Sequence, residues 1–88
     1  MYMKINDLIL QIKEKLNKNF NIDSLNIEDK TFLHINHKSH IKNKFHIKLT
    51  INSKELKSIK IIDANRKIFK VLKEETDNYI HSLQIIIN

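Results

Sequence analysis

The chain has 88 residues, enough for one domain with a modest core, and its 41% hydrophobic share is typical of a folded chain. It contains no cysteine, glycine or proline, which excludes disulfides, thiol catalysis, glycine-rich phosphate loops and GXXG nucleic-acid clamps. The net charge of +6 comes with a strong lysine, asparagine and isoleucine bias, so it is only a weak indication of nucleic-acid binding.

Membrane and export signals are not evident in the sequence. The apolar runs are too short to cross a bilayer, and the first ten residues lack the apolar centre of a signal peptide and the arginines of a transit peptide. We therefore expect a cytoplasmic or nuclear protein, or a mitochondrial one if a presequence has been removed, with no membrane association.

The first half of the chain predicts one helix and two strands. A helix over residues 6–19 is indicated by helical spacing of Ile5, Leu8, Ile9, Ile12, Leu16 and Phe20. A first strand is predicted over residues 25–33, and the histidine-rich segment 34–44 is predicted to be a loop. Strict alternation of apolar and polar residues predicts a second strand over residues 45–53.

The second half predicts a helical connection followed by a last strand. Residues 53–60 are expected to form a turn or short helix with Leu56 as its buried anchor. A helix follows, in which Ile61, Ile62, Ile68, Phe69 and Leu72 recur with a helical period. Glu74 and Glu75 are interpreted as its solvated end. Residues 79–87 are isoleucine-rich and predict a strand too apolar to be exposed.

This order of elements favours an α+β two-layer sandwich with both main helices on one face of the sheet. The strand–helix–strand unit of residues 45–87 predicts a right-handed crossover, which makes the last strand parallel to one neighbour. No repeat or linker is evident, so residues 1–88 are expected to form a single domain.

The five histidines are the residues best suited to metal chemistry, because imidazole is a good ligand for zinc and iron. His34, His37 and His40 recur every third residue in the predicted loop, while His46 is predicted to be a surface residue of the second strand. A self-sufficient zinc site on the three loop histidines is one hypothesis, but zinc sites usually have stricter ligand sets. A solvated loop that happens to use histidine is the favoured interpretation of the loop histidines taken alone.

Several short motifs also occur in a fixed order along the chain. They are the segment from Asp29 to His34, then His46-Ile47, Ser53 with Leu56, Arg66, and Ile80-His81-Ser82-Leu83. In that order they resemble the D-x-S-x-x-H segment, H-F pair, S-x-x-F-x-G turn, RHR signature and V/I-H-A-L strand of the BolA-like family. The chain departs from the family where RHR stands as Ala64-Asn65-Arg66 and where the turn glycine is Ser58. Its loop is also about three residues longer, at a place where insertions are tolerated.

The resemblance implies a KH-like (class II) α-β-β-α-α-β fold with a three-stranded mixed sheet and helices on one face. It also implies a monothiol glutaredoxin as partner, with a [2Fe–2S] cluster shared between the two proteins. The glutaredoxin cysteine and glutathione would supply thiolates, and this chain would supply His81 and a loop histidine. That loop ligand is His34 by motif, or His37 by counting back from His46 without a gap. The isolated chain is expected to be a monomer that binds no cluster.

Two further expectations concern function. No arrangement of catalytic residues can be placed, so the chain is not expected to be an enzyme. Members of the family are also described as possible transcription regulators with a segment similar to a helix-turn-helix. That alternative would use a set of cationic residues on phosphates, namely Lys57, Lys60, Arg66, Lys67, Lys70 and Lys73. The single arginine leaves little capacity for bidentate base recognition.

Overall fold

Residues 3–31 and 44–88 are described by the computed structural model, and they fold as a three-stranded sheet with helices packed against it. The elements are α1 (Ile5–Asn19), β1 (Ser24–Asp29), β2 (Phe45–Asn52), α2 (Lys54–Lys57), α3 (Ile61–Val71), α4 (Lys73–Asn78) and β3 (Ile80–Ile87). The α+β class predicted from the sequence is confirmed. The short helix α4 is an addition to the predicted order.

The sheet is mixed and has β2 at its centre. β1 pairs antiparallel with β2, placing Leu25 opposite Ile51, whereas β3 pairs parallel with β2, placing Leu83 opposite Ile47. A parallel pair needs a long crossover connection, and α2, α3 and α4 provide it. The predicted parallel pairing of the last strand is therefore confirmed.

One hydrophobic core joins the helices to one face of the sheet. Ile47, Leu49 and Ile51 alternate along β2 and are buried. The same cluster contains a buried stripe from each main helix. Helix α1 contributes Leu8, Ile12 and Leu16, and helix α3 contributes Ala64 and Ile68, with Leu72 directly after its last residue. Since these helical residues meet the same alternate positions of β2, both main helices lie on one face, as predicted.

Helix α3 buries a narrower stripe than its apolar residues suggested. Of the five apolar residues that recur with a helical period, Ile68 and Leu72 are buried, whereas Ile61, Ile62 and Phe69 are 61%, 54% and 43% exposed. The buried positions are spaced by four residues, starting at Ala64, and this spacing defines a single side of a helix. The exposed apolar side chains fall on the other sides of α3.

The interpretation of Glu75 as a solvated residue is also wrong. Its side chain is fully buried, and its Oε2 accepts hydrogen bonds from Gln11 Nε2 and Lys15 Nζ, both at 2.6 Å. Glu74, its neighbour, is exposed as expected. The difference arises because α4 places Glu75 against α1, a contact between segments about sixty residues apart that local periodicity cannot reveal.

The strand ends also differ from the sequence prediction. β1 ends at Asp29, before the predicted end at residue 33, which lies outside the described residues. β3 was expected to be shielded, yet it occupies one edge of the described sheet and has exposed residues at His81, Ser82 and Gln84. Its apolar residues are instead distributed over both faces, with Leu83, Ile85 and Ile87 directed toward the core.

The connection after β2 forms the short helix that residues 53–60 predicted. Ser53 caps α2 by accepting a hydrogen bond from the Leu56 backbone N–H at 3.1 Å, and Leu56 is buried. Each helix of the described residues is too short or too polar to span a lipid bilayer.

Candidate functional site

His81 lies at an irregularity in the parallel ladder between β2 and β3. Phe45 is opposite Ile80, but the next residue of β2, His46, is opposite Ser82. His81 is therefore the extra residue of a β-bulge, with no partner position of its own on β2. Bulges redirect side chains, and here the His81 side chain is exposed and its ring meets that of His46. The bulge thus presents an imidazole at the start of β3.

His46 is the second imidazole of this site, and its expected position at the surface is wrong. It is only 6% exposed, although it alternates with the core-facing residues of β2. Its Nδ1 lies 2.6 Å from Ser82 Oγ, and its ring centroid is 5.0 Å from that of His81 at an interplanar angle of 69°. This edge-to-face contact places a buried imidazole beside an exposed one.

The backbone of His46 is held by the turn that follows β1. The Thr31 Oγ1 accepts a hydrogen bond from the His46 N–H at 3.1 Å, and the His46 carbonyl accepts one from the Lys30 N–H at 2.7 Å. Thr31 is itself fixed by Asp29, whose Oδ1 accepts hydrogen bonds from the Thr31 N–H and hydroxyl. The Asp29 and Thr31 positions of the D-x-S-x-x-H segment therefore fasten the turn after β1 to the backbone of His46.

The donor set of the described residues fits a shared metal centre better than a self-contained one. An exposed imidazole can bind iron or zinc through a ring nitrogen. No group of three or more ligand-type side chains comes together within residues 3–31 and 44–88. The chain also has no cysteine to offer as a thiolate. Any iron–sulfur cluster at His81 would therefore need thiolates from another molecule.

The predicted loop ligands are not placed by the structure. His34 and His37, together with His40 of the zinc hypothesis, lie outside the described residues. Of the three residues implied for cluster binding, the structure thus places His81 alone. The identity of the second ligand stays a prediction.

The six cationic residues of the nucleic-acid hypothesis do not share one surface. Lys67 and Lys70 line an open groove of about 610 Å³ between α1 and α3, together with Lys15 and Lys18. Lys70 also borders a second groove beside α4, which has Arg66 and Lys73 in its lining. In contrast, Lys57 lines a separate depression near the chain end at Asn88, and Lys60 precedes α3 without lining any of these.

Comparison with known proteins identifies the family. The family model described as BolA-like protein matches residues 16–88. The chain belongs to the BolA-like family. The match includes both His46 and His81, together with the turn at Asp29 and Thr31.

Curated relatives and solved structures agree with this assignment. The BolA-like chain is similar to the DNA-binding transcriptional regulator BolA of Haemophilus influenzae, with 30% identity over 84% of this chain and 69% of that protein. It is 29% identical to the chloroplastic protein BOLA1 of Arabidopsis thaliana over 86% of this chain, but spans only about half, 49%, of that protein.

Two solved Arabidopsis thaliana structures share the fold. BolA1 superposes with a TM-score of 0.77 and 26% identity, covering 91% of this chain and 88% of that chain. The BolA domain of SufE1 gives a TM-score of 0.74 and 26% identity, covering 90% and 87%. These values confirm the KH-like α+β architecture that the family resemblance implied.

The sequence identified His81 in this BolA-like site but missed the role of its neighbours. His46 and Ser82 are 36 residues apart in the chain and meet only through the register of β2 with β3. Alternation along β2 does place His46 on the side opposite the core. The bulge that brings His81 to the same place has no sequence signature here, because no glycine marks it.

Proposed function

We propose that this BolA-like protein is a non-enzymatic adaptor that shares a [2Fe–2S] cluster with a monothiol glutaredoxin, in iron–sulfur cluster trafficking or iron regulation. The observation that carries the proposal is the exposed His81 imidazole, held at a bulge beside His46. A ring in this position is open to a docking protein, whereas a ring sealed in the core would not be. The partner is the one that the family resemblance implies.

The chemistry of the two chains is complementary in this proposal. The glutaredoxin cysteine and glutathione provide thiolates, and His81 with one loop histidine provides imidazoles to one iron. Replacing thiolates by neutral imidazoles makes the cluster less negative and raises its reduction potential. The chain without cysteine delivers no thiolate of its own, so the cluster is held only in the complex.

Co-expression with a monothiol glutaredoxin tests the proposal. Wild-type protein should co-purify as a coloured complex whose visible absorption and circular dichroism differ from those of the glutaredoxin alone. His81→Ala should lose that difference. Gln84→Ala is the matched control, because Gln84 is an exposed residue of the same strand. A wild-type complex without a cluster, or His81→Ala with an unchanged spectrum, would contradict the proposal.

The same assay can assign the second ligand. His34→Ala and His37→Ala should be compared individually, with His40→Ala as a control from the same segment. The variant that changes the spectrum as His81→Ala does identifies the loop ligand. Elemental analysis of the isolated protein tests the zinc hypothesis, which requires about one zinc per chain without any partner.

Nucleic-acid binding is a second candidate function, favoured by one specific observation. Lys18 of α1 joins Lys67 and Lys70 of α3 along one open groove, so the basic surface extends over two helices. Relatives with the family fold include a protein named as a DNA-binding transcriptional regulator. Lysines in such a groove would contact phosphates and contribute salt-dependent affinity.

A salt titration of affinity for duplex DNA tests this candidate. Replacing Lys18, Lys67 and Lys70 by glutamine should flatten the slope of log K against log salt by about 1 per lysine. Replacing Lys4, Lys13 and Lys54 removes the same charge from exposed positions outside this groove and is the matched control. Equal effects of the two triple variants would reduce the binding to bulk electrostatics, and no binding at low salt would exclude it.

A further inference from the structure

We propose that His46 is a positioning residue that, anchored by Ser82, holds the His81 imidazole in the orientation that binds the shared cluster. This inference rests on the proposed function, since it concerns the same ligand. It goes beyond that function by giving a role to the buried His46 ring and to the Ser82 hydroxyl bonded to it.

The first step is that His81 has little backbone restraint of its own. As the extra residue of the bulge, it has no partner position on β2. Its side chain is also exposed, so solvent on one side leaves it free to change rotamer. A cluster ligand must point its ring nitrogen in one direction. If the free side chain already has that orientation, less binding free energy is lost in ordering it.

The second step is that His46, in contrast to His81, is restrained in both its backbone and its side chain. Its N–H and carbonyl are both bonded to the turn at Lys30 and Thr31. The residue is 6% exposed, and its ring Nδ1 lies 2.6 Å from Ser82 Oγ. A ring held in this way has a fixed position. The His81 ring packs against it edge to face, with 5.0 Å between the two ring centroids.

The third step separates positioning from ligation. The Nδ1 of His46 is hydrogen-bonded to Ser82 and its Nε2 is buried, so neither nitrogen is open to a cluster on another protein. His81 is the exposed member of the pair and can reach a cluster on another protein. Replacing a residue that orients a metal ligand without touching the metal commonly lowers metal affinity by about 10- to 100-fold.

The first test uses the isolated protein and needs no glutaredoxin. Three-bond couplings and ring ¹H–¹³C resonances report the χ1 rotamer of His81 in solution. Wild type and Ser82→Thr, which keeps the hydroxyl, should show one dominant rotamer. Ser82→Ala should show rotamer averaging with an unchanged fold by circular dichroism. An unaltered His81 rotamer in Ser82→Ala would overturn the inference.

The second test measures the cluster in the complex with a monothiol glutaredoxin. Ser82→Ala should lose its cluster to an iron chelator about 10-fold faster than wild type, and its reduced cluster should have a shifted electron paramagnetic resonance spectrum. Ser82→Thr should restore both properties. His46→Phe, which keeps a ring but removes Nδ1, should resemble Ser82→Ala rather than His81→Ala.

The outcomes separate this inference from the function on which it rests. A colourless wild-type complex would overturn the proposed function and, with it, the ligand that His46 positions. A coloured wild-type complex that Ser82→Ala leaves unchanged would overturn the positioning role alone. Complete cluster loss in His46→Phe with no effect of Ser82→Ala would show instead that His46 is itself a ligand.

Discussion

The Nζ atom of Lys15 lies 2.6 Å from the Oε2 atom of Glu75, and this contact joins α1 to α4 through a fully buried carboxylate. Gln11 of α1 donates to the same oxygen. The pair therefore links α1 directly to α4. A charge buried in this way is costly when its partner is removed, because no water replaces the lost interaction.

Lys15→Met should lower the free energy of unfolding by about 3 kcal/mol, since it leaves Glu75 buried without its cation. Glu74→Gln is the control: Glu74 is an exposed neighbour that also contacts Lys15, at 3.4 Å, and its removal should cost at most about 0.5 kcal/mol. Urea unfolding measures both values. A Lys15→Met/Glu75→Gln double variant should recover part of the loss, and equal stability of the two single variants would contradict the assignment.

The same pair should produce an alkaline dependence of stability. The hydrogen bond to Glu75 raises the pKa of the Lys15 ammonium above its ordinary 10.5, although burial opposes the increase. Because the folded pKa is the higher one, the stabilisation is fully present below pH 10.5 and is lost as pH rises through the folded value. The stability difference between wild type and Lys15→Met should therefore be constant up to about pH 9.5 and shrink above pH 10.5. A constant difference up to pH 12 would contradict this prediction.

Ser53 should be important for stability at the start of α2. Its buried hydroxyl donates to the Asn21 carbonyl at 2.7 Å and accepts from the Leu56 N–H, so it links the α1–β1 connection to α2. Ser53→Ala should cost about 1–2 kcal/mol, which thermal and urea unfolding can measure. Ser58→Ala removes an exposed hydroxyl from the other end of the same helix and should cost much less.

The two sides of α3 should respond differently to truncation. Ile68→Ala should cost about 2–4 kcal/mol, because the side chain is fully buried and its loss leaves a cavity. Phe69→Ala removes a larger but 43% exposed side chain and should cost less than Ile68→Ala. The reverse order would contradict the placement of the α3 stripe at Ala64, Ile68 and Leu72.

Histidine variants should separate stability from cluster binding. His81→Ala should change the free energy of unfolding by at most about 0.5 kcal/mol, because its side chain is exposed. His46→Ala should cost about 1–2 kcal/mol through the loss of a buried ring and its bond to Ser82. Thermal unfolding of the isolated protein measures both, and a strongly destabilised His81→Ala would indicate a structural role for that ring.

Patterns within single elements were sufficient to predict most of the fold. The alternation over Phe45 to Asn52 and the apolar spacing of α1 each fix one face of one element, and both predictions agree with the structure. Glu75 and His46 were misplaced because their surroundings come from residues distant in sequence. Local periodicity contains no information about Lys15 on another helix or Ser82 on another strand.

The candidate site, like the fold, was predictable only in part from the sequence. His81 was identified through the family motif, and its exposure is consistent with the proposed ligand role. Its displacement from the ladder could not be foreseen, because a one-residue bulge depends on strand register rather than on residue type. The loop histidines lie outside the described residues, so the choice between His34 and His37 depends on experiment.

The displaced residue at the start of β3 also bears on how copies of this chain avoid aggregating. β3 is an edge of the described sheet and ends in three successive isoleucines, a composition that invites strand addition by another molecule. The irregularity at His81 interrupts the even row of backbone groups that an incoming strand would need. We therefore expect His81, besides its proposed role as a cluster ligand, to protect the neighbouring edge from fibre-like assembly.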